Sequence, residues 1–209
     1  MTKKQKAKII VKEFERLYPK PDIPLESATP FQMLVAVLLS AQCTDKRVNI
    51  VTKELFKVAP TPEKMAALKI SKLESLIRSC GFYHNKAKHI KSLSKDLIEK
   101  FDSKVPDNFK DLESLAGVGH KTASVVMLQS FNQYAFPVDT HIHRLSTRWG
   151  LASGKSVEDT EENLKKIFDK SLWSILHLQF IYYGREYCKA HTCKTFQNSC
   201  DLCKQFRTF

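Results

Sequence analysis

The sequence predicts an all-α protein, and three observations carry that prediction. Apolar residues recur at helical spacing along nearly the whole chain, with no convincing alternating strand, internal repeat or low-complexity segment. Helix-start signals stand in front of several of these periodic stretches. The segment Leu115 to Ala123, LAGVGHKTA, reads as a tight glycine-containing turn between two apolar-periodic stretches.

Taken in order, MTKKQKAKIIVKEF reads as an amphipathic helix that buries Ile9, Ile10, Phe14 and Leu17. It starts basic but has neither a long apolar run nor a small-residue cleavage site, so it does not read as a signal peptide. Phe31 to Leu39 is apolar enough to form a buried helix. Thr61-Pro62-Glu63 is a helix start with proline at the first position, and Ser71 with Glu74 has the form of a capping box. Residues 84–101 and 157–168 show 3.6-residue periodicity with basic or mixed outer faces. Asn108 with Asp111, and Ser156 ahead of an acidic turn, mark two further starts. Breaks fall around Pro19 to Pro30, Lys104 to Pro106 and Gln133 to Pro137.

The turn in LAGVGHKTA carries the most chemical information. Gly117 and Gly119 flank Val118, with Phe109, Leu112 and Leu115 before them and Ala123, Val125, Val126 and Leu128 after. Glycine tolerates positive φ and lets a second backbone approach. Such a turn exposes N–H groups at the start of the second helix, where the dipole also suits a phosphate. Lys121 lies on the first turn of that helix. Taken alone, the turn is equally well a tight connection beside a solvated lysine. Asp139, in VDTHIHR, adds a carboxylate that also suits the N-cap of a helix beginning at Thr140.

Composition bounds the rest. The 209 residues are 43% hydrophobic, enough for one folded domain or two small ones. Lys and Arg number 34 against 22 Asp and Glu, a net charge of +12 and a pI near 9.4. That balance implies a polyanionic partner, nucleic acid or an anionic membrane surface. No run is long and apolar enough to span a bilayer, so a cytoplasmic, nucleoid-associated location is expected. In a reducing compartment six cysteines argue for metal or free thiols over disulfides. Cys188, Cys193, Cys200 and Cys203 fall within sixteen residues and can enclose one metal centre, whereas Cys43 and Cys80 read as small buried residues. Four thiolates also suit structural zinc.

Five segments, in this order, resemble the endonuclease III family of helix-hairpin-helix DNA base-excision glycosylases. They are LLSAQCTDKRVN, CGFYHNKA, LAGVGHKTASVV, FPVDTHIHRLSTRWG and YYGREYC. The resemblance implies a two-domain helical architecture: a six-helix domain over about 25–133, and a discontinuous iron–sulfur domain formed by 1–24 and 134–209. It places the active site in a cleft between them, Lys121 on one wall and Asp139 on the other. The implied activity is that of a bifunctional DNA glycosylase and abasic-site lyase acting, as a monomer, on oxidised pyrimidines in damaged double-stranded DNA. Lys121 would be the nucleophile at C1′ and would form a Schiff base; Asp139 would activate it and move protons. A lysine attacks only as the neutral amine, so burial or neighbouring cationic charge is expected around it.

Chemistry on a base requires extruding it from the stack, and something must fill the hole. The resemblance gives that role to Gln42 and Phe82, and DNA contacts to Gly117, Val118, Gly119 and His141. It makes Cys188, Cys193, Cys200 and Cys203 the ligands of a [4Fe–4S] cluster, which would order a tail presenting Lys189, Lys194 and Lys204 to phosphates. The chain departs from the family in three places. Relatives more often carry an aliphatic wedge where Phe82 stands. Many carry arginine at His120. The family spacing C-x6-C-x2-C-x5-C is here C-x4-C-x6-C-x2-C. Two registrations are possible: anchoring on YYGREYC makes Cys188 the first ligand with the later spacing altered, whereas matching Cys193, Cys200 and Cys203 to the family's first three puts the fourth at Phe209, which cannot ligate, so that Cys188 would have to serve from upstream; both reach the same four cysteines. Two alternatives remain: a non-catalytic helix-hairpin-helix DNA-binding module, and a mismatch adenine glycosylase. The second lacks the hairpin lysine and carries a further C-terminal domain, whereas this chain has Lys121 and stops at Phe209.

Overall fold

The structure is a computed structural model, and it describes residues 1–206. Phe209, the position that cannot ligate in the alternative cysteine registration, lies outside them. The described residues form twelve α-helices and a single 3₁₀ turn, with no strand among them. The chain divides into two compact units. One is Ile23–Gln133; the other joins Met1–Asp22 to the residues from Tyr134 onward.

α1 (Lys3–Leu17) opens the discontinuous unit with a capping box between Thr2 and Gln5. It turns Ala7, Ile10 and Phe14 inward, with Ile9 and Leu17 packed at the edge of the same core. The rest of this unit is α9 (Thr140–Arg148), α10 (Val157–Ile167), the 3₁₀ turn Lys170–Leu172, α11 (Trp173–Glu186) and α12 (Asp201–Phe206). Its centre is aromatic. The Phe14 ring lies 5.0 Å from Phe180, edge-on, and 5.4 Å from Tyr183, while fully buried Trp149 lies 5.8 Å from Phe180. Ser156 caps α10 by accepting from Asp159 N, as its sequence predicts.

The continuous unit is built on α2 (Pro30–Ser40), in which every residue from Met33 to Leu39 is buried. A helix apolar all round must be covered all round. α3 (Asp45–Val58), α6 (Tyr83–Phe101) and α8 (His120–Phe131) pack against it. α4 (Pro62–Ala67) and α5 (Ile70–Ile77) lie on α6, and α7 (Phe109–Ser114) lies on α8. That makes seven helical segments, of which α4 and α7 have only six residues each. Thr61 and Asn108 cap α4 and α7 as expected, accepting from Lys64 N and Asp111 N.

The expected capping box at Ser71 does not form. α5 starts at Ile70 behind Lys69, without a side-chain cap. The reason is tertiary: the Lys91 ammonium binds the Ala66 and Leu68 carbonyls, fixing a connector so short that the next helix begins before Ser71.

Candidate active site and metal centre

The hairpin is α7, the five-residue connection Leu115 to Gly119, and α8. Leu115 N donates to Leu112 O at 3.1 Å and Val118 N to Leu115 O at 3.1 Å, closing the turn. Gly117 holds φ +77°, and a Cβ there would meet the His89 ring at 2.7 Å, so two separate constraints select glycine. Gly119 differs: it is extended, and a Cβ on it would enter open space. Val118 is buried and its N–H is spent inside the turn, so only its place in the backbone serves the outer face. No side chain caps α8, leaving the amides of its first turn without that partner. Lys121 stands on this turn and is exposed. His120 stacks on Phe109 at 5.3 Å and bonds Glu113 at 2.7 Å, so its ring is already engaged within the hairpin.

In the other unit, half-buried Asp139 is the N-cap of α9, its Oδ1 accepting from Ile142 N at 2.8 Å. His141, on the first turn, packs against the backbone of α11. A Cβ on Gly184 would lie 2.9 Å from its Cβ, so glycine permits the approach. Burial holds the His141 imidazole below its usual range, Asp139 opposes that shift, and Arg144 and Arg185 add to it. Arg144 anchors the corner: its Nη2 lies 3.2 Å from His141 Nδ1 and donates to the carbonyls of Gly184 at 3.1 Å and Cys188 at 2.8 Å.

Gln42 and Phe82 are both exposed and both left-handed, at φ 53° and 58°. Phe82 is 64% exposed, so its ring is not part of the core. The two loops adjoin, since a Cβ on Gly81 would lie 3.4 Å from Gln42 O. Cys80 is buried and Cys43 partly so, and burial together with the hydrogen bond the Cys80 thiol donates to Cys43 pushes that thiol above its usual range.

The tail brings its four cysteines together. The sulfurs of Cys188, Cys193, Cys200 and Cys203 all lie within 4.8 Å of one another, three of the residues buried and Cys200 partly exposed. N–H groups surround them: Arg148 Nη1 donates to Cys188 Sγ at 3.0 Å, Trp149 Nε1 to Cys203 Sγ at 3.3 Å and Cys200 N to Cys193 Sγ at 3.2 Å. Hydrogen bonds from Cys188 and Cys203 pull the Cys200 thiol below its usual range. Four clustered sulfurs backed by donors fit a thiolate-bound metal centre, either zinc or iron–sulfur. Lys189 and Lys194 are exposed beside it, whereas the Lys204 ammonium sits 5.8 Å over the Phe196 ring.

Sequence reasoning missed Arg144, Arg148 and Lys86. The two arginines act on groups about forty residues away, which no local pattern reports. Lys86 did leave a signal, because it shares the buried stripe of α6 with Ile90, Leu93 and Leu97.

A family model for HhH-GPD superfamily base excision DNA repair proteins matches residues 35–170. The chain is 43% identical to the endonuclease III of Bacillus subtilis (strain 168) over 177 residues, 84% of this chain and 81% of that protein. It is 41% identical to the endonuclease III of Haemophilus influenzae over 207 residues, 98% of this chain and 97% of that one. Among solved structures, a trapped endonuclease III–DNA covalent intermediate superposes with a TM-score of 0.89 at 40% identity, covering 98% of this chain and 99% of the other. A non-covalent endonuclease III–DNA complex gives 0.89 at 40% identity over the whole of both chains. With a family model over most of its length and relatives above 40% identical across nearly all of it, the chain belongs to the endonuclease III family of the HhH-GPD superfamily of base excision DNA repair proteins.

Proposed function

We propose that this protein is a bifunctional DNA glycosylase and abasic-site lyase that removes oxidised pyrimidines from damaged double-stranded DNA, working as a monomer. The observation that carries the proposal is the exposed Lys121 on the uncapped first turn of α8, in a chain so similar to an enzyme whose structure is a trapped DNA covalent intermediate. In this reading the neutral Lys121 amine attacks C1′ and the N-glycosidic bond breaks, its electron pair leaving with the base. The attacking nitrogen loses one proton, and the C1′–O4′ bond then breaks with O4′ taking up a proton, which gives a protonated Schiff base. Removal of a C2′ proton then expels the 3′ phosphate by β-elimination, cutting the strand 3′ to the lesion. Asp139 takes up protons and stabilises positive charge developing on the sugar. The hairpin amides and His141 hold phosphates, while Gln42 and Phe82 fill the space of the extruded nucleotide.

For the tail we propose a [4Fe–4S] cluster on Cys188, Cys193, Cys200 and Cys203, supported by the family likeness and the sulfur-rich, donor-lined pocket. Bound there, the cluster would cross-link the tail. Arg148 and Trp149 hold the sulfurs from α9 and its C-terminal end, which joins the centre to the aromatic core.

The deciding experiment is cleavage of duplexes carrying thymine glycol, an abasic site, or adenine opposite 8-oxoguanine. Excision of thymine glycol with nicking is expected. Removal of adenine alone would point to a mismatch adenine glycosylase, and binding without cleavage to a non-catalytic DNA-binding module. Elemental analysis of anaerobically purified protein separates the metals: iron with comparable sulfide supports the cluster, and one equivalent of zinc in colourless protein overturns it.

A further inference from the structure

Lys86 is 5% exposed, and none of the roles above uses it. A buried ammonium requires partners. Its Nζ donates to Leu39 O at 2.9 Å and to Ala41 O at 2.6 Å. These carbonyls belong to the end of α2, where the last turn lacks intrahelical donors. α2 ends at Ala41 with ψ 114°, without a glycine cap, so the lysine supplies what a capping motif would. The negative end of the helix dipole favours the ammonium there. Burial pulls Lys86 below the usual lysine range, while Cys80 and Cys43 push it back up.

What the lysine joins is more informative than its burial. The residue after Ala41 is Gln42, at φ 53°. At its other end, the backbone N–H of Lys86 donates to Phe82 O at 3.1 Å. Phe82 is the N-cap of α6, at φ 58°, with no side-chain cap of its own. The Lys86 side chain therefore ties the end of α2, beside Gln42, to the first turn of α6, of which Phe82 is the N-cap; each junction carries a non-glycine residue in the left-handed region, where side chains are strained unless held. Gly81 completes the contact by lying against Gln42 O.

We propose that Lys86 is a positioning residue that locks the Gln42 and Phe82 loops into one rigid pair, so that both side chains enter the duplex together. The inference rests on the reading of Gln42 and Phe82 as void-filling residues. The probes are a duplex carrying a tetrahydrofuran abasic-site analogue and its undamaged counterpart. Affinity for both is measured for Gln42→Ala, Phe82→Ala and the double variant, in the wild-type and Lys86→Met backgrounds.

In the wild-type background the two alanine effects should be strongly non-additive, by about tenfold on lesion affinity, as for residues that act as a unit. In the Lys86→Met background that coupling should fall below about twofold, as for independent sites. Lys86→Met alone should lower lesion affinity and leave undamaged-duplex affinity unchanged. A merely structural lysine would weaken both duplexes alike and leave the coupling intact; either result overturns the proposal. Additivity in the wild-type background overturns it as well, and needs no folded Lys86 variant. If Gln42→Ala and Phe82→Ala each leave lesion discrimination untouched, the void-filling reading itself fails, and the proposal falls with it.

Discussion

Asp139 is asked to do two things, and the two can be separated by changing one atom or the whole group. As N-cap its Oδ1 accepts from Ile142 N at 2.8 Å in a half-buried setting. Asparagine caps about as well as aspartate but carries no charge, so Asp139→Asn should cost only the charge–dipole part, about 0.3–1 kcal/mol. Asp139→Ala loses the hydrogen bond as well, about 1 kcal/mol more. For a chain of this size each kcal/mol is worth about 2–4 °C in Tm. The expected series is therefore a small drop for asparagine and a drop of several degrees for alanine. Turnover should follow a different series. Both variants lack the carboxylate, so single-turnover excision from a thymine glycol duplex should fall about 10²–10⁴-fold in each, the usual contribution of a positioned acid or base. Calorimetry and a quenched-flow cleavage assay give the two readouts. Near-wild-type excision by Asp139→Asn would refute the catalytic role and leave Asp139 a cap. Equal melting of the two variants would refute the capping energetics.

Four further outcomes are expected. Borohydride should trap wild-type protein on abasic DNA and should not trap Lys121→Ala; equal trapping would remove Lys121 as the nucleophile. Gly117→Ala places a side chain at φ +77° against the His89 ring, so it should cost about 1–2 kcal/mol, read by thermal melting; an unchanged Tm would contradict the turn geometry. His141 is held below its usual range by burial, so the unfolded state takes up its proton first. Its contribution to stability is therefore full above the ordinary histidine value of about 6.5 and declines as pH falls below it, a slope that His141→Gln should flatten in denaturation at pH 5 and 8. Cys188→Ser should lower the metal content and melting temperature of anaerobically purified protein; unchanged metal would remove Cys188 from the ligand set.

Much of this molecule could be read from its sequence where the interaction is local. Thr61, Asn108 and Ser156 accept from the N–H three residues on, and so little else bears on them that their caps form as written. Ser71 has the same form and fails, because Lys91 reaches in from α6 and decides where α5 begins. Gly117 was legible as a turn residue, but the His89 ring that doubles the constraint lies on α6 and left no trace in the motif. The cysteines illustrate the other limit. Spacing allowed two registrations, and only the folded tail brings Cys188 to the other three. Phe82 had to be judged by exposure, which a lone aromatic in a sequence does not reveal.

The discontinuous unit has a consequence for how the protein is made. Phe14 leaves the ribosome early, yet the rings that cover it, Trp149, Phe180 and Tyr183, follow more than 130 residues later. At roughly 5–20 residues per second, α1 waits roughly ten to thirty seconds with its apolar stripe bare. Ile23–Gln133 can complete its own core during that interval, because every helix of that unit has by then been synthesised. During that interval a completed globule follows an uncovered amphipathic helix, and the exposed Lys3, Lys4, Lys8 and Lys12 of α1 give that helix a charge that favours solubility.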